Sequence, residues 1–359
     1  MDCDGSPLSV DQDRLPGIQI ARAVAALAIA YLHSWHVTMP FPAGSAFPIP
    51  ILKDHGALGV DLFFAISGFV ICIMATSRNF NPVSFAIRRI FRLYPLWIIT
   101  SLAFLLLTRF IGRAPDQTIG YFFYSLTLLP TSSLPFYDLG WTLQHEIAFY
   151  LLAMIVAPKF GPLGIAVALV CGMAADKLIP LPWYLHNYVV FYASFLAGIA
   201  AFLLRDHVVR LGVILPMGMS IAILVASEFA LGRESRALLF PALFFGLIAF
   251  INMKPRSLLG TLGKTLGDAS YSIYLIHALV FYTVYILLKE PLPPIWTQEF
   301  IRFGSIIAIC FLSIVSWHFF ESPMIALGAG LSNYFRFRGG GSTLSRKSLK
   351  PVSRLESDS

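Results

Sequence analysis

An all-α, polytopic transmembrane bundle is the fold class this sequence predicts, and three observations predict it. The 359 residues are 57% hydrophobic and only 13% charged, against about 25% charged in a soluble domain. Mean hydropathy is +0.74. Ten apolar runs recur along the chain, each near the roughly 17–25 residues that a spanning helix needs. A soluble chain of this composition would expose aggregating apolar patches, so lipid is the solvent that fits.

The runs fall at 17–38, 57–76, 88–110, 139–157, 161–175, 187–204, 211–229, 237–252, 268–288 and 298–318. The segment before them, 1–16, is acidic and polar and lacks the apolar core of a signal peptide. It is expected to be a cytosolic lead-in to a membrane domain over 17–330. Residues 331–359 are rich in Gly, Ser, Lys and Arg, which predicts a disordered basic cytosolic tail drawn to anionic lipid.

Charge placement sets the expected topology. With the N-terminus cytosolic, ten crossings put Arg88, Arg89, Arg92, Lys159, Arg205, Arg210, Lys264 and the basic tail on the cytosolic side. Fewer cations, among them Lys53, Arg109 and Lys177, fall outside. That asymmetry obeys the positive-inside rule, with both termini cytosolic. The stretch 119–136 carries Pro130 and a Ser/Thr cluster; it is expected to be interfacial or re-entrant, because an eleventh crossing would send the later basic loops outside.

The net charge of +7 is accounted for by these loops, so no nucleic-acid partner is expected. Cys3, Cys72, Cys171 and Cys310 have neither metal nor redox spacing; they are expected to pack, and no metal site or bound cofactor is expected. No internal repeat suggests a transporter of duplicated halves.

Several residues are out of place in lipid. Arg22 and His33 in the first run are eleven apart, hence within about 20° on one helix face and about 16 Å apart along it. His36 lies one turn further on. The second run holds Asp61, then Phe63-Phe64, then Ser67-Gly68. The third opens with Arg88, Arg89 and Arg92, of which Arg89 and Arg92 share a face and suit phosphate, because guanidinium groups bind its oxygens bidentately. The fourth holds Trp141, His145 and Glu146, the ninth His277, and the tenth leads to Glu321. Snorkelling or interhelical packing is the bland alternative for each. Intramembrane charges are costly enough, however, to mark function by default.

Taken in order, these segments resemble the acyltransferase 3 family of membrane acyltransferases. The resemblance runs from Gly17 to about Pro323. Arg22 and His33 fit Arg-x10-His, Phe63 to Gly68 fits Phe-Phe-x-x-Ser-Gly, and Arg89 with Arg92 fits Arg-x-x-Arg. Trp141-Thr142-Leu143 with Glu146, Ser270 to His277, and Glu321-Ser322-Pro323 are similar to the later blocks. The nearest likeness is to exopolysaccharide O-acetyltransferases of the bacterial envelope.

That resemblance implies O-acyl transfer, most simply acetyl, from cytosolic acyl-CoA to a hydroxyl of a cell-surface or exported carbohydrate. It also implies a multi-pass protein of the bacterial inner (plasma) membrane, in contact with membrane lipid and with polysaccharide-assembly proteins as candidate partners. Arg89 and Arg92, with Arg22 and Ser67, are then the expected acyl-CoA-binding residues. His33 is the expected general base, since an unperturbed imidazole titrates near working pH; direct transfer and an acyl-histidine intermediate both stay open. Either Asp61 or Glu146 is expected to orient the imidazole, and Ser67 or the amides near Gly68 to donate to the oxyanion. His36, Trp141 and His277 are the expected acceptor contacts. The rival from another class is a transporter or flippase for a lipid-linked sugar or small anion, which also uses intramembrane Arg, His and carboxylates.

Overall fold

The structure is a computed structural model that describes residues 15–37, 55–77, 80–110, 118–231, 238–254, 257–287 and 295–339. The N-terminal segment and most of the basic tail lie outside the described residues. Among the described residues the chain is helical, with no strand: an all-α polytopic bundle.

Helix α1 (Pro16–Val37) opens with Pro16 at its first turn, where the missing N–H costs nothing. It is the hub of the bundle, touching α2 (Leu58–Ala75), α9 (Leu239–Asn252), α10 (Leu258–Asp268), α11 (Ser270–Leu287) and α12 (Ile295–Ser316). Ala21, Ala25, Ala26 and Ala30 are fully buried; small side chains let several neighbours approach one helix closely, which is how bundles pack when lipid supplies no hydrophobic drive.

Helix α3 (Pro82–Phe110) is the long third crossing and contains Pro95. Its Ile98, Leu102, Leu106 and Phe110 stay exposed, as do Leu151, Ile155, Leu163 and Val167 on α5 (Gly140–Leu178). In water such faces would be aggregation surfaces; in a bilayer they are the lipid contact. Two expected runs, 139–157 and 161–175, are joined in α5, a 39-residue helix interrupted where Gly161 takes φ 57°, ψ −158°.

Among the described residues, seven helices are long and apolar enough to cross a membrane. Ten crossings would require the two halves of α5 to cross separately, together with the shorter α8 (Ile214–Leu231) and α9. Helix α9 has 14 residues, about 21 Å at 1.5 Å per residue against a hydrocarbon core of about 30 Å.

The stretch 119–136 forms a short helix α4 (Ile119–Leu126) of eight residues, about 12 Å and too short to cross. Its non-helical return is held by protein side chains. Tyr94 donates to the Thr127 carbonyl, Trp97 to Leu126 and Gln144 to Leu129. Irregular backbone at membrane depth needs such partners.

Helix α7 (Tyr192–Val208) crosses α2 through two glycines. A methyl at Gly68 would overlap the Phe195 carbonyl, and one at Gly198 the Ala65 carbonyl. At the far end, α12 passes through a π-helical turn (Trp317–Glu321) into α13 (Ser322–Gly339). The helix thus continues nine residues past the boundary at 330 where the disordered tail was expected. Contacts with α3 hold it: Ser332 is fully buried against Ser84, and Arg88 donates to Ser332 and Asn333.

Candidate active site

A cavity of about 1100 Å³, counting its open mouth, runs through the bundle between α1, α2, α3, α5 and α11. On α2 its lining reaches from Val60 to Ile73, thirteen residues or about 20 Å. One end is cationic, the other aromatic, and a carboxylate stands between them.

Arg22, Arg89 and Arg92 line the cationic end. Arg89 is buried; its guanidinium donates to the Met74 sulfur and lies 5.2 Å and 4.9 Å from the ring centroids of Phe85 and Tyr150. Its Nε has no protein hydrogen-bond partner. Arg22 donates to Gln19 at 3.3 Å. Glu321, presented by the π turn, is buried with both carboxylate oxygens unpartnered, and Arg22 and Arg92 act on its charge. Short π segments recur at functional sites because they turn one side chain out of helical register.

Glu146 sits midway, accepting from Ser67 at 3.3 Å and from Tyr150. From the sequence, either Asp61 or Glu146 is expected to orient His33, and Ser67 or the amides near Gly68 to donate to the oxyanion. In the structure the carboxylate turns to α2 and to its own next turn, and takes the Ser67 proton. Asp61 is buried at the α2–α7 contact and accepts from Ser194 at 2.7 Å.

Phe63 and Tyr274 line the aromatic end, whereas Tyr271 lies nearer the arginines and donates to the Leu93 carbonyl at 2.8 Å. Tyr274 accepts from Thr142 at 2.7 Å and donates to the Leu139 carbonyl. Its ring packs 5.9 Å from that of His277, which is fully buried and lies edge to edge with His33, the ring planes 10° apart. His33 Nδ1 and His277 Nε2 are 2.6 Å apart.

The protons of this pair follow from their surroundings. His277 Nδ1 lies 3.1 Å from the Ile273 carbonyl, which only accepts, so Nδ1 carries the hydrogen. A neutral His277 then has its lone pair at Nε2 and accepts from His33 Nδ1–H. That tautomer puts the lone pair of His33 at Nε2, as an orienting partner does for a catalytic histidine.

The expected site residues therefore separate. Arg22, Ser67, Arg89, Arg92 and Glu146 share one cavity; His33 and His277 pair just beyond its aromatic end; Trp141 faces a second cleft with His145. The His36 side chain lies outside the described residues. Sequence reasoning missed Tyr150 and Tyr274, although Tyr150 stands at i+4 from Glu146. It also missed the buried Glu299–Arg302 ion pair of α12, with contacts of 2.8 and 2.9 Å.

A family model described as "Acyltransferase domain" (Acyl_transf_3) matches residues 15–316. The chain belongs to the acyltransferase 3 family. This acyltransferase is 27% identical over 303 residues to "Exopolysaccharide production protein ExoZ" of Rhizobium meliloti (strain 1021), covering 76% of this chain and 90% of that one. It is 24% identical over 287 residues to "Putative acetyltransferase ORF330" of Acidianus two-tailed virus, covering 74% and 83%. No solved structure matches the acyltransferase. It is a membrane acyltransferase, and its cavity and histidine pair lie within the matched residues.

Proposed function

We propose that this acyltransferase moves an acyl group, most simply acetyl, from cytosolic acyl-CoA to a hydroxyl of an exported carbohydrate, in a bacterial inner membrane. The observation that carries the reading is the polarity of the cavity, with three arginines at one end and a tautomer-fixed histidine beyond the other. Acyl-CoA is polyanionic at its nucleotide end and carries its thioester on a long thin arm. Arg89, Arg92 and Arg22 suit the phosphates, and the unpartnered Arg89 Nε is a donor already desolvated for such a contact. The roughly 20 Å of apolar lining along α2 suits the arm.

In this reading the acceptor hydroxyl attacks the thioester carbonyl while His33 Nε2 takes its proton. The C–O bond forms, the C–S bond breaks, and the proton passes to the departing thiolate. His277 holds the His33 ring in the required tautomer. Ser67, Glu146 and Tyr150 form a hydrogen-bonded brace along the arm rather than a partner of His33. Family membership favours this enzyme reading over a carrier.

The test has two parts. Purified protein in nanodiscs, given acetyl-CoA and a glycan acceptor, releases free CoA in step with ester formation. Mass spectrometry of envelope and secreted glycans from a deletion strain shows lost O-acyl groups. Acyl content equal to wild type in the deletion strain would sink the carbohydrate assignment. Acceptor movement without CoA release would favour a carrier.

A further inference from the structure

A second cleft of about 850 Å³ opens beside the acyltransferase cavity. Trp141, Trp183, Tyr184 and Tyr188 supply its rings, and Gln144 and Asn187 its amides. It is not an extension of the donor cavity. Trp141, Gln144 and His145 leave α5 on the face opposite Thr142, Leu143 and Glu146. Phe64 stands between the two spaces: it lines the donor cavity, and its ring packs 6.0 Å from His145 and 5.0 Å from Phe191 on the cleft side.

The cleft is built to hold its shape. Helix α6 (Trp183–Val189) is tied to α5 at two points. The ring nitrogens of His145 meet the Trp141 carbonyl at 2.7 Å and the Asn187 carbonyl at 3.2 Å, and His186 meets Asp176 at 2.6 Å. On the other wall, Gln144 donates to the Leu129 carbonyl and to Thr131. That wall follows Leu128, whose φ of 57° is unusual for a bulky residue. Trp183 and Tyr184 are 48% and 41% exposed, and Asn187 is exposed beside them.

Among the described residues no Lys, Arg, Asp or Glu lines this cleft, so it does not suit the phosphates of a nucleotide. An alkyl chain would make no use of the amides and hydroxyls. A sugar ring matches both sets: its C–H faces stack on aromatic rings, and its hydroxyls pair with the Asn187 amide and with the Ser, Thr and Tyr hydroxyls of the cleft. We infer that this cleft docks a neutral oligosaccharide segment of the acceptor, held apart from acyl-CoA by Phe64. The inference rests on the acyl-transfer reading for the identity of its ligand.

The test uses full-length protein in nanodiscs. The probe is exopolysaccharide from a strain deleted for this chain, cut to oligosaccharides and de-O-acylated with mild alkali. Binding is followed by tryptophan fluorescence without acetyl-CoA. Trp183→Ala is expected to weaken binding about threefold to tenfold, the worth of one aromatic stack, and Trp183→Phe to restore it. Asn187→Ala serves as a second variant if Trp183→Ala fails to accumulate. No binding by wild type, or equal binding by both variants, overturns the subsite. So does quenching of Trp183 emission by brominated lipid, read as the difference between wild type and Trp183→Phe, because the cleft would then be a lipid-facing aromatic belt. Turnover with radiolabelled acetyl-CoA is measured separately. Binding without turnover overturns the acyl-transfer reading and leaves the subsite standing; turnover with an unchanged acceptor KM in both variants does the reverse.

Discussion

His33 on α1 and His277 on α11 lie edge to edge, their ring planes 10° apart, and share a 2.6 Å nitrogen–nitrogen contact. Two histidines 244 positions apart in sequence thus act as one unit. The backbone of α11 sets the proton on one ring, and that ring sets the proton on the other.

The first consequence concerns His277. Replacing it with Leu removes the acceptor for His33 Nδ1–H while keeping an apolar side chain in the pocket. kcat is expected to fall about 10–100-fold, the scale on which ring-orienting partners act. The KM for acetyl-CoA should hold. His277→Gln, whose amide oxygen can accept the same proton, should recover part of the loss. Steady-state kinetics in nanodiscs decide it, and a KM effect with unchanged kcat would refute the orienting role.

His33→Ala should lower transfer about 10²–10⁴-fold, the usual worth of a general base. The protein should still accumulate, because His33 is only half-buried. Quantitative immunoblotting of membranes beside the ester assay separates lost chemistry from lost protein. Full activity in this variant would end the assignment.

Arg89→Ala is expected to raise the KM for acetyl-CoA about 10–100-fold, as for loss of charge-assisted contacts to a phosphate. Arg89→Lys should not rescue it fully, since lysine lacks both the fork and the flat face that lies against Phe85 and Tyr150. The check is KM at fixed ionic strength. A pure kcat loss would move Arg89 out of the donor site.

Gly198→Ala should destabilise the bundle by about 1–3 kcal/mol, the ordinary cost of overpacking, since the added methyl meets the Ala65 carbonyl. Gly218→Ala is the matched control, for nothing lies within 4 Å of its new methyl. Thermal unfolding of detergent-solubilised protein should show a lowered Tm for the first variant and none for the second.

Much of the fold was legible because lipid imposes a simple rule of long apolar runs. The runs were found, and so was the non-crossing stretch around Pro130. The two runs 139–157 and 161–175 meet at the non-helical Gly161, but hydropathy alone did not show that they abut without a loop. The end of the helical bundle was misplaced for a different reason: Leu331, Ser332 and Asn333 look like tail by composition, whereas Ser332 and Asn333 bond Ser84 and Arg88 on α3.

The site was legible in its members and not in their grouping. Spacing put Arg22 and His33 on one stripe, and Arg89 beside Arg92, because these relations stay within one helix. The pairing of His33 with His277, and of Glu146 with Ser67, depends on how α1, α2, α5 and α11 turn toward one another. Helix rotation about its own axis leaves no trace in a run of Leu, Ile and Phe.

The crossing of α2 and α7 bears on how members of this family diverge. Gly68 faces the Phe195 carbonyl and Gly198 the Ala65 carbonyl, so each helix has spent its side-chain freedom at the other's backbone. The wall of the chamber next to Ser67 is therefore the part least open to drift. A longer or bulkier acyl group would need its space on the facing wall, at Thr142, Leu143 and Tyr274. Substrate range would be written on one side of the chamber only, with the other side serving as a fixed ruler.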